Sequence, residues 1–78
     1  MKKKIIGIQT IKFQDNTYYK VFYTYSFAAD DTASGVACGS INVYNANYIN
    51  GINVGDTVFI STDVSSKGSK FCNGIVKV

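Results

Sequence analysis

From Tyr18 to Phe27 the chain reads YYKVFYTYSF, ten residues without glycine, proline or an acidic group. Side chains alternate across a strand. One face of this segment therefore carries Tyr19, Val21, Tyr23, Tyr25 and Phe27, and the other Tyr18, Lys20, Phe22, Thr24 and Ser26. The first set is continuously apolar or aromatic and is the natural core face. A strand with so bulky a face must pack it against other strands.

The rest of the chain supplies them. Val, Ile, Thr, Tyr and Phe recur in short runs broken by glycine and asparagine. Five strands are expected: Lys3–Gln14, Tyr18–Phe27, Gly35–Tyr44, Thr57–Thr62 and Phe71–Val78. The stretch QDNT is a tight turn, AADDTAS a loop with an acidic tip at Asp30 and Asp31, and DVSSKGSK a loop or hairpin tip. Gly35 and Gly39 suit a bend or bulge, as does Gly74. Asn45–Asn53 has room for one helical turn, with Gly51 suited to its C-terminal cap. No long helical periodicity and no internal repeat occur. Three strands, a short connection and two further strands fit an all-β, five-stranded OB-like Greek-key barrel. An SH3-like barrel is the alternative.

At 78 residues the chain is one domain, 1–78, and small enough that pairing with a second copy would help it. Apolar residues make up 46% and charged residues 17%, the balance of a folded domain. The lysine-rich start MKKKIIGIQTIKF is read as a first strand, because its apolar run is short and interrupted. No apolar run reaches the length of a membrane span. A cytoplasmic location without membrane contact is expected.

The second face of Tyr18–Phe27 is the feature that needs a reason. A core has no use for Lys20, and a plain surface seldom carries Tyr18 and Phe22 together. Single-stranded nucleic acid suits this mixture: bases offer flat π-faces and each nucleotide one negative charge. Otherwise another strand, a loop, a protein partner or a second copy covers the rings. The net charge of +3 is in keeping with an anionic partner. Lys67, Lys70 and Phe71 surround Gly68 in the last loop and form a candidate backbone clamp. Lys12, just before the first turn, is expected to face the same groove as Lys20. Tyr44 and Tyr48 flank the 45–53 connection and are expected to be buried against the barrel end. The candidate nucleic-acid-binding residues are thus Tyr18, Lys20, Phe22, Lys12, Lys67, Lys70 and Phe71.

Taken together, NTYYKVFYTYSF, GVACGSINVY and VGDTVFISTDVSSKGSKFCNGIVKV resemble the second strand, third strand and closing hairpin of a known family. It is the OB-fold single-stranded-DNA-binding proteins of filamentous phages and related small replicons. The resemblance implies a small dimeric protein, without a catalytic site, that coats single-stranded replication intermediates. It places Tyr18 and Lys20, with Lys67 and Phe71, on the DNA. This chain departs from the family in having no arginine and in carrying Asp30 and Asp31.

Catalysis is not expected. Histidine and glutamate are absent, and most of the five aspartates fall in turns. Cys38 and Cys72 lack a histidine to activate them and lack metal-ligand spacing, so both read as free thiols in or near the core. No phosphate-loop motif occurs, and no cofactor or metal is called for. The expected function is sequence-independent binding of single-stranded nucleic acid, DNA before RNA, in phage or mobile-element replication. The alternatives are a small protein-binding module or phage-encoded inhibitor using the same aromatic face, and a structural homo-oligomer.

Overall fold

The structure, a computed structural model, describes residues 2–27 and 32–78. Its elements are β1 (Lys3–Phe13), β2 (Asn16–Tyr25), β3 (Ala37–Val43), α1 (Ala46–Ile49), β4 (Thr57–Val64) and β5 (Lys70–Lys77). The acidic tip expected at Asp30 and Asp31 lies outside the described residues. No helix among the described residues is long and apolar enough to cross a membrane.

β1 and β2 form a long hairpin, with Lys4 opposite Thr24 at one end and Phe13 opposite Asn16 at the other. Only Gln14 and Asp15 make the turn, so β2 begins two residues before the expected Tyr18. Two-residue hairpin loops favour left-handed backbone, which matches the twist of the strands they join. Gln14 adopts φ 56° there, a region that glycine or asparagine enters more easily. Lys12–Thr17 are all exposed, so this end of the hairpin runs beyond the core. The molecule is correspondingly elongated, 44 × 29 × 18 Å.

Near its other end β1 carries a bulge. Ile5 faces Tyr23 and Gly7 faces Phe22, which leaves Ile6 as the extra residue. A bulge bends its strand and increases the local twist. Beside it β1 takes β4 as its second neighbour, with Lys3 opposite Val58 and Lys4 opposite Thr57. The Ile5 amide donates to the Asp56 carbonyl at 2.9 Å, and the Gly55 amide to the Ile5 carbonyl at 2.8 Å, which extends this junction. Asp56 also fixes the turn before β4. Its carboxylate accepts from the Asn53 amide at 2.8 Å and pairs with Lys77 Nζ at 3.2 Å.

All strand neighbours are antiparallel, and the sheet order is β3-β2-β1-β4-β5. β3 and β5, at the two ends of that order, come round to lie against each other without a hydrogen-bonded ladder. The sheet is therefore a small, OB-like β-barrel left unclosed by hydrogen bonds. A meander through β2, β3 and β4, as in the SH3-like alternative, would put β4 beside β3; here it lies beside β1. The connection between β3 and β4 carries α1, capped by Asn45, whose side-chain oxygen accepts from the Asn47 amide at 2.9 Å. Gly51 follows α1 with φ 79°, the left-handed geometry that ends helices.

The core holds Ile5, Val21, Ile41, Val43, Val58 and Cys72, with Ile8, Tyr19, Tyr23, Tyr48, Ile49, Ile52, Ile60 and Ile75 packed around them. The apolar face of β2 is thus the core face through Tyr23. Phe27 lies beyond the end of β2 and is exposed. Lys3 closes this end of the core, its ammonium 5.1 Å from the Tyr23 ring centroid and 6.0 Å from that of Tyr25. Burial, with Tyr25 nearby, raises the Tyr23 phenol above its usual pKa. Gly39 sits opposite Tyr23 and is neither bend nor bulge: a Cβ there would lie 3.0 Å from Tyr23 Oη. The later bulge falls at Asn73, one residue before the expected Gly74, since Ser61 faces Gly74 and Thr62 faces Cys72. Of the two thiols only Cys72 is in the core; Cys38 is exposed on β3 opposite Thr24.

Candidate nucleic-acid interface

The ladder fixes what surrounds the second face of β2. Lys20 lies between Gln9 of β1 and Asn42 of β3, Phe22 between Gly7 and Ser40, and Tyr18 beside Ile11. Cross-strand partners share a face, so these side chains form one outer surface across three strands. Gly7 gives the Phe22 ring a bare stretch of backbone to lie on: a Cβ at Gly7 would be 3.6 Å from Phe22 Cδ2. The Lys20 ammonium stands 5.8 Å from the Phe22 ring centroid. Cation and ring are thus adjacent, the arrangement a stacked nucleotide with its phosphate needs.

Tyr18 meets Tyr44, one residue past β3. Their ring centroids are 5.1 Å apart and the planes are tilted by 39°. The Tyr44 hydroxyl accepts from Asn42 Nδ2 at 3.2 Å. Phe13, Asn16 and Thr17 join these two tyrosines around an open depression of about 310 Å³. Its rings are accessible: Phe13 is 63% exposed and Tyr44 57%. Tyr44 is therefore not buried against the barrel end, whereas Tyr48 is half-buried and packed on the core.

A second depression, about 400 Å³, opens where the end of β3 and α1 approach the start of β5. Tyr44 borders this one too, with Tyr48, Phe71 and Cys72 as its other walls. Phe71 is half-buried. Burial raises the Cys72 thiol above its usual pKa, and the Sγ–H donates to the Gly74 carbonyl at 3.4 Å. That wall is accordingly uncharged.

Of the seven residues singled out, Tyr18, Lys20 and Phe22 share the outer face of β2, and Phe71 is linked to them through Tyr44. The other three stand apart. Lys12 faces Thr17, so it lies on the face of Thr10 and Tyr19, opposite to that of Lys20. Lys70 faces Val64 at the start of β5 and Lys67 lies in the turn; neither lines either of these two depressions. That turn is well formed: Ser65 and Ser69 bond through their backbones at 2.8 Å, and the Gly68 amide donates to the Ser65 carbonyl at 2.9 Å. Two aromatic residues join the seven, Phe13 and Tyr44. Alternation holds the signal for both: Phe13 shares its face with Ile11, the partner of Tyr18, and Tyr44 shares its face with Asn42, the partner of Lys20. Comparison with protein-family models, curated proteins and solved structures gives no match.

Proposed function

We propose that the protein binds single-stranded nucleic acid, DNA before RNA, without regard to sequence. Bases stack on the rings of the outer face, and lysines, Lys20 first among them, meet the phosphates. The observation that carries this reading is the Tyr18–Tyr44 pair, Tyr18 half-buried and Tyr44 exposed, joined by the exposed Phe13 around an open depression on the face that holds Lys20 and Phe22. The exposed rings of Phe13 and Tyr44 bury little in the fold, while a strand of bases gains about 1–3 kcal/mol for each base stacked. Lys67 and Lys70 then serve as a more distant electrostatic contact. Replication of a phage or mobile element is the setting the sequence resemblance suggests. Association as a homodimer belongs to the proposal, supported by the small core and by Phe59 and Val76, exposed opposite each other on β4 and β5.

The test is fluorescence anisotropy of a labelled oligo-dT at low and moderate salt, beside a duplex of equal length. The single strand should bind better, with affinity falling by about 0.7 log unit per log unit of salt for each phosphate neutralised. Tyr18→Ala should weaken binding by about 1–3 kcal/mol while leaving the protein folded. A folded protein that ignores the oligonucleotide at low salt refutes the proposal. In that case the aromatic face serves a protein partner.

A further inference from the structure

The second depression is chemically unlike the first surface, and no phosphate contact accounts for it. Its walls are three rings and a thiol, Tyr44, Tyr48, Phe71 and Cys72, and its rim is Asn45, Ser65 and Asn73. No charged side chain lines it. A phosphate would find no counter-charge there. A flat, neutral ring with polar edges would find both aromatic walls and hydrogen-bonding groups. The volume, about 400 Å³, lies at the lower end of small-molecule sites.

The rim groups are placed to meet polar edges. The Asn45 side-chain oxygen is occupied by the Asn47 amide, which leaves its NH₂ as a donor. Ser65 Oγ accepts from the Ser69 amide at 3.1 Å and keeps its own proton to donate. Asn73 is the extra residue of the β5 bulge and is exposed. Bulges re-aim side chains and recur beside binding sites. Tyr44 stands between the two depressions, so a chain laid on Tyr18 reaches the second by passing one ring.

We infer that the depression walled by Tyr44, Tyr48 and Phe71 is a nucleobase pocket, holding one base of the bound strand with its edges toward Asn45, Ser65 and Asn73. The inference rests on the strand-binding reading above for the source of that base. The base enters as a stacked, neutral ring, and its phosphate stays outside. Tyr44 is then a shared wall, stacked on one side by the base that meets Tyr18 and on the other by the pocketed base.

Two measurements on the full chain separate this pocket from the general reading. The first is oligo-dT anisotropy with Phe71→Ala, Asn73→Ala and Tyr18→Ala. Loss of one stacking wall is expected to weaken binding about five- to 150-fold for Phe71→Ala. Loss of one rim hydrogen bond is expected to weaken it about two- to tenfold for Asn73→Ala. Asn73 is exposed and Phe71 lies outside the buried core, and circular dichroism checks that both variants fold. The second measurement is NMR titration with thymidine, and with ribose 5-phosphate as a sugar phosphate lacking a base. Thymidine should shift the Tyr48 and Phe71 ring signals and the Asn73 side-chain amide, and ribose 5-phosphate should not.

If Tyr18→Ala weakens oligo-dT binding while Phe71→Ala and Asn73→Ala do not, the pocket is refuted and strand binding stands. If the oligonucleotide does not bind but thymidine shifts the pocket signals, the pocket stands as a site for a free nucleoside and strand binding falls. If thymidine and oligo-dT both leave those signals unmoved, the pocket is refuted.

Discussion

Gly39 offers a quantitative test of how β2 and β3 are packed. A Cβ built at this position lies 3.0 Å from Tyr23 Oη and 3.1 Å from both Cε1 and Cζ. Favourable carbon contacts fall at ~3.5–4.0 Å, so in Gly39→Ala the phenol must withdraw by about half an ångström. The ring has little room to do so: it packs on the core from below and carries the Lys3 ammonium at 5.1 Å. Overpacking of this kind costs ~1–3 kcal/mol. Alanine returns ~0.4–1 kcal/mol by narrowing the unfolded ensemble. The net expectation is a loss of about 0.5–2 kcal/mol, against a total stability of ~4–12 kcal/mol for a chain of this length. Urea unfolding followed by circular dichroism measures it, with the slope m unchanged if only packing is affected. The same substitution in a Tyr23→Leu background should cost less, because the phenol that meets the new methyl is gone. An equal loss in both backgrounds, or no loss in the first, would refute the reasoning.

Two further perturbations probe the turns. Gln14 holds φ 56°, which costs a side-chain-bearing residue ~1–2 kcal/mol. Gln14→Gly removes that cost and adds ~0.5–1 kcal/mol of unfolded-state entropy, so a net gain of about 0.5–1 kcal/mol is expected in thermal or urea unfolding. Asp56 has its pKa lowered first by the Asn53 amide and then by Lys77. A lowered folded-state value means that its contribution is complete above the ordinary carboxylate pKa and is lost as pH falls through the folded value. Urea midpoints from pH 6 down to pH 2 should therefore fall, and should fall less in Asp56→Asn. High salt should remove only the Lys77 part, since the leading hydrogen bond is to backbone.

How much of this was legible in the sequence depends on which physical rule each residue obeys. The five strands and the helical turn were legible because their runs of β-branched and aromatic residues are separated by glycine and asparagine. The core face of β2 was legible because alternation is strict. Lys12 was misplaced because a first strand ending at Gln14 and a second starting at Tyr18 leave three residues between them, a register that pairs Lys12 with Lys20. A two-residue turn pairs Phe13 with Asn16, and this puts Lys12 and Lys20 on opposite faces. The bulge at Ile6 is not marked by the run IIGI, since it depends on how β1 meets both β2 and β4. Gly39 was read for its backbone freedom, while its use is the space it leaves for Tyr23. Tyr44 was read as buried because it borders an irregular connection, and only the folded register shows that it completes the outer face with Tyr18.

The two faces of β2 carry similar rings in different surroundings. Tyr19 and Tyr23 touch the core, and their surroundings are built to hold them, down to the bare backbone at Gly39 and the ammonium of Lys3. Tyr18 and Tyr44 lie outside the core with ring centroids 5.1 Å apart, Tyr18 half-buried and Tyr44 exposed beside an open depression. A tilted aromatic pair adds only ~0.5–1.5 kcal/mol beyond the area it buries. Truncating Tyr44 or Tyr18 therefore leaves the core untouched, with the smaller loss at the exposed Tyr44, whereas truncating Tyr23 removes packing from the core itself. This asymmetry makes the proposed binding separable from stability by substitution. A substitution on the outer face that unfolded the protein would show that those rings are structural after all. One that left the fold intact and abolished binding would assign them to the ligand.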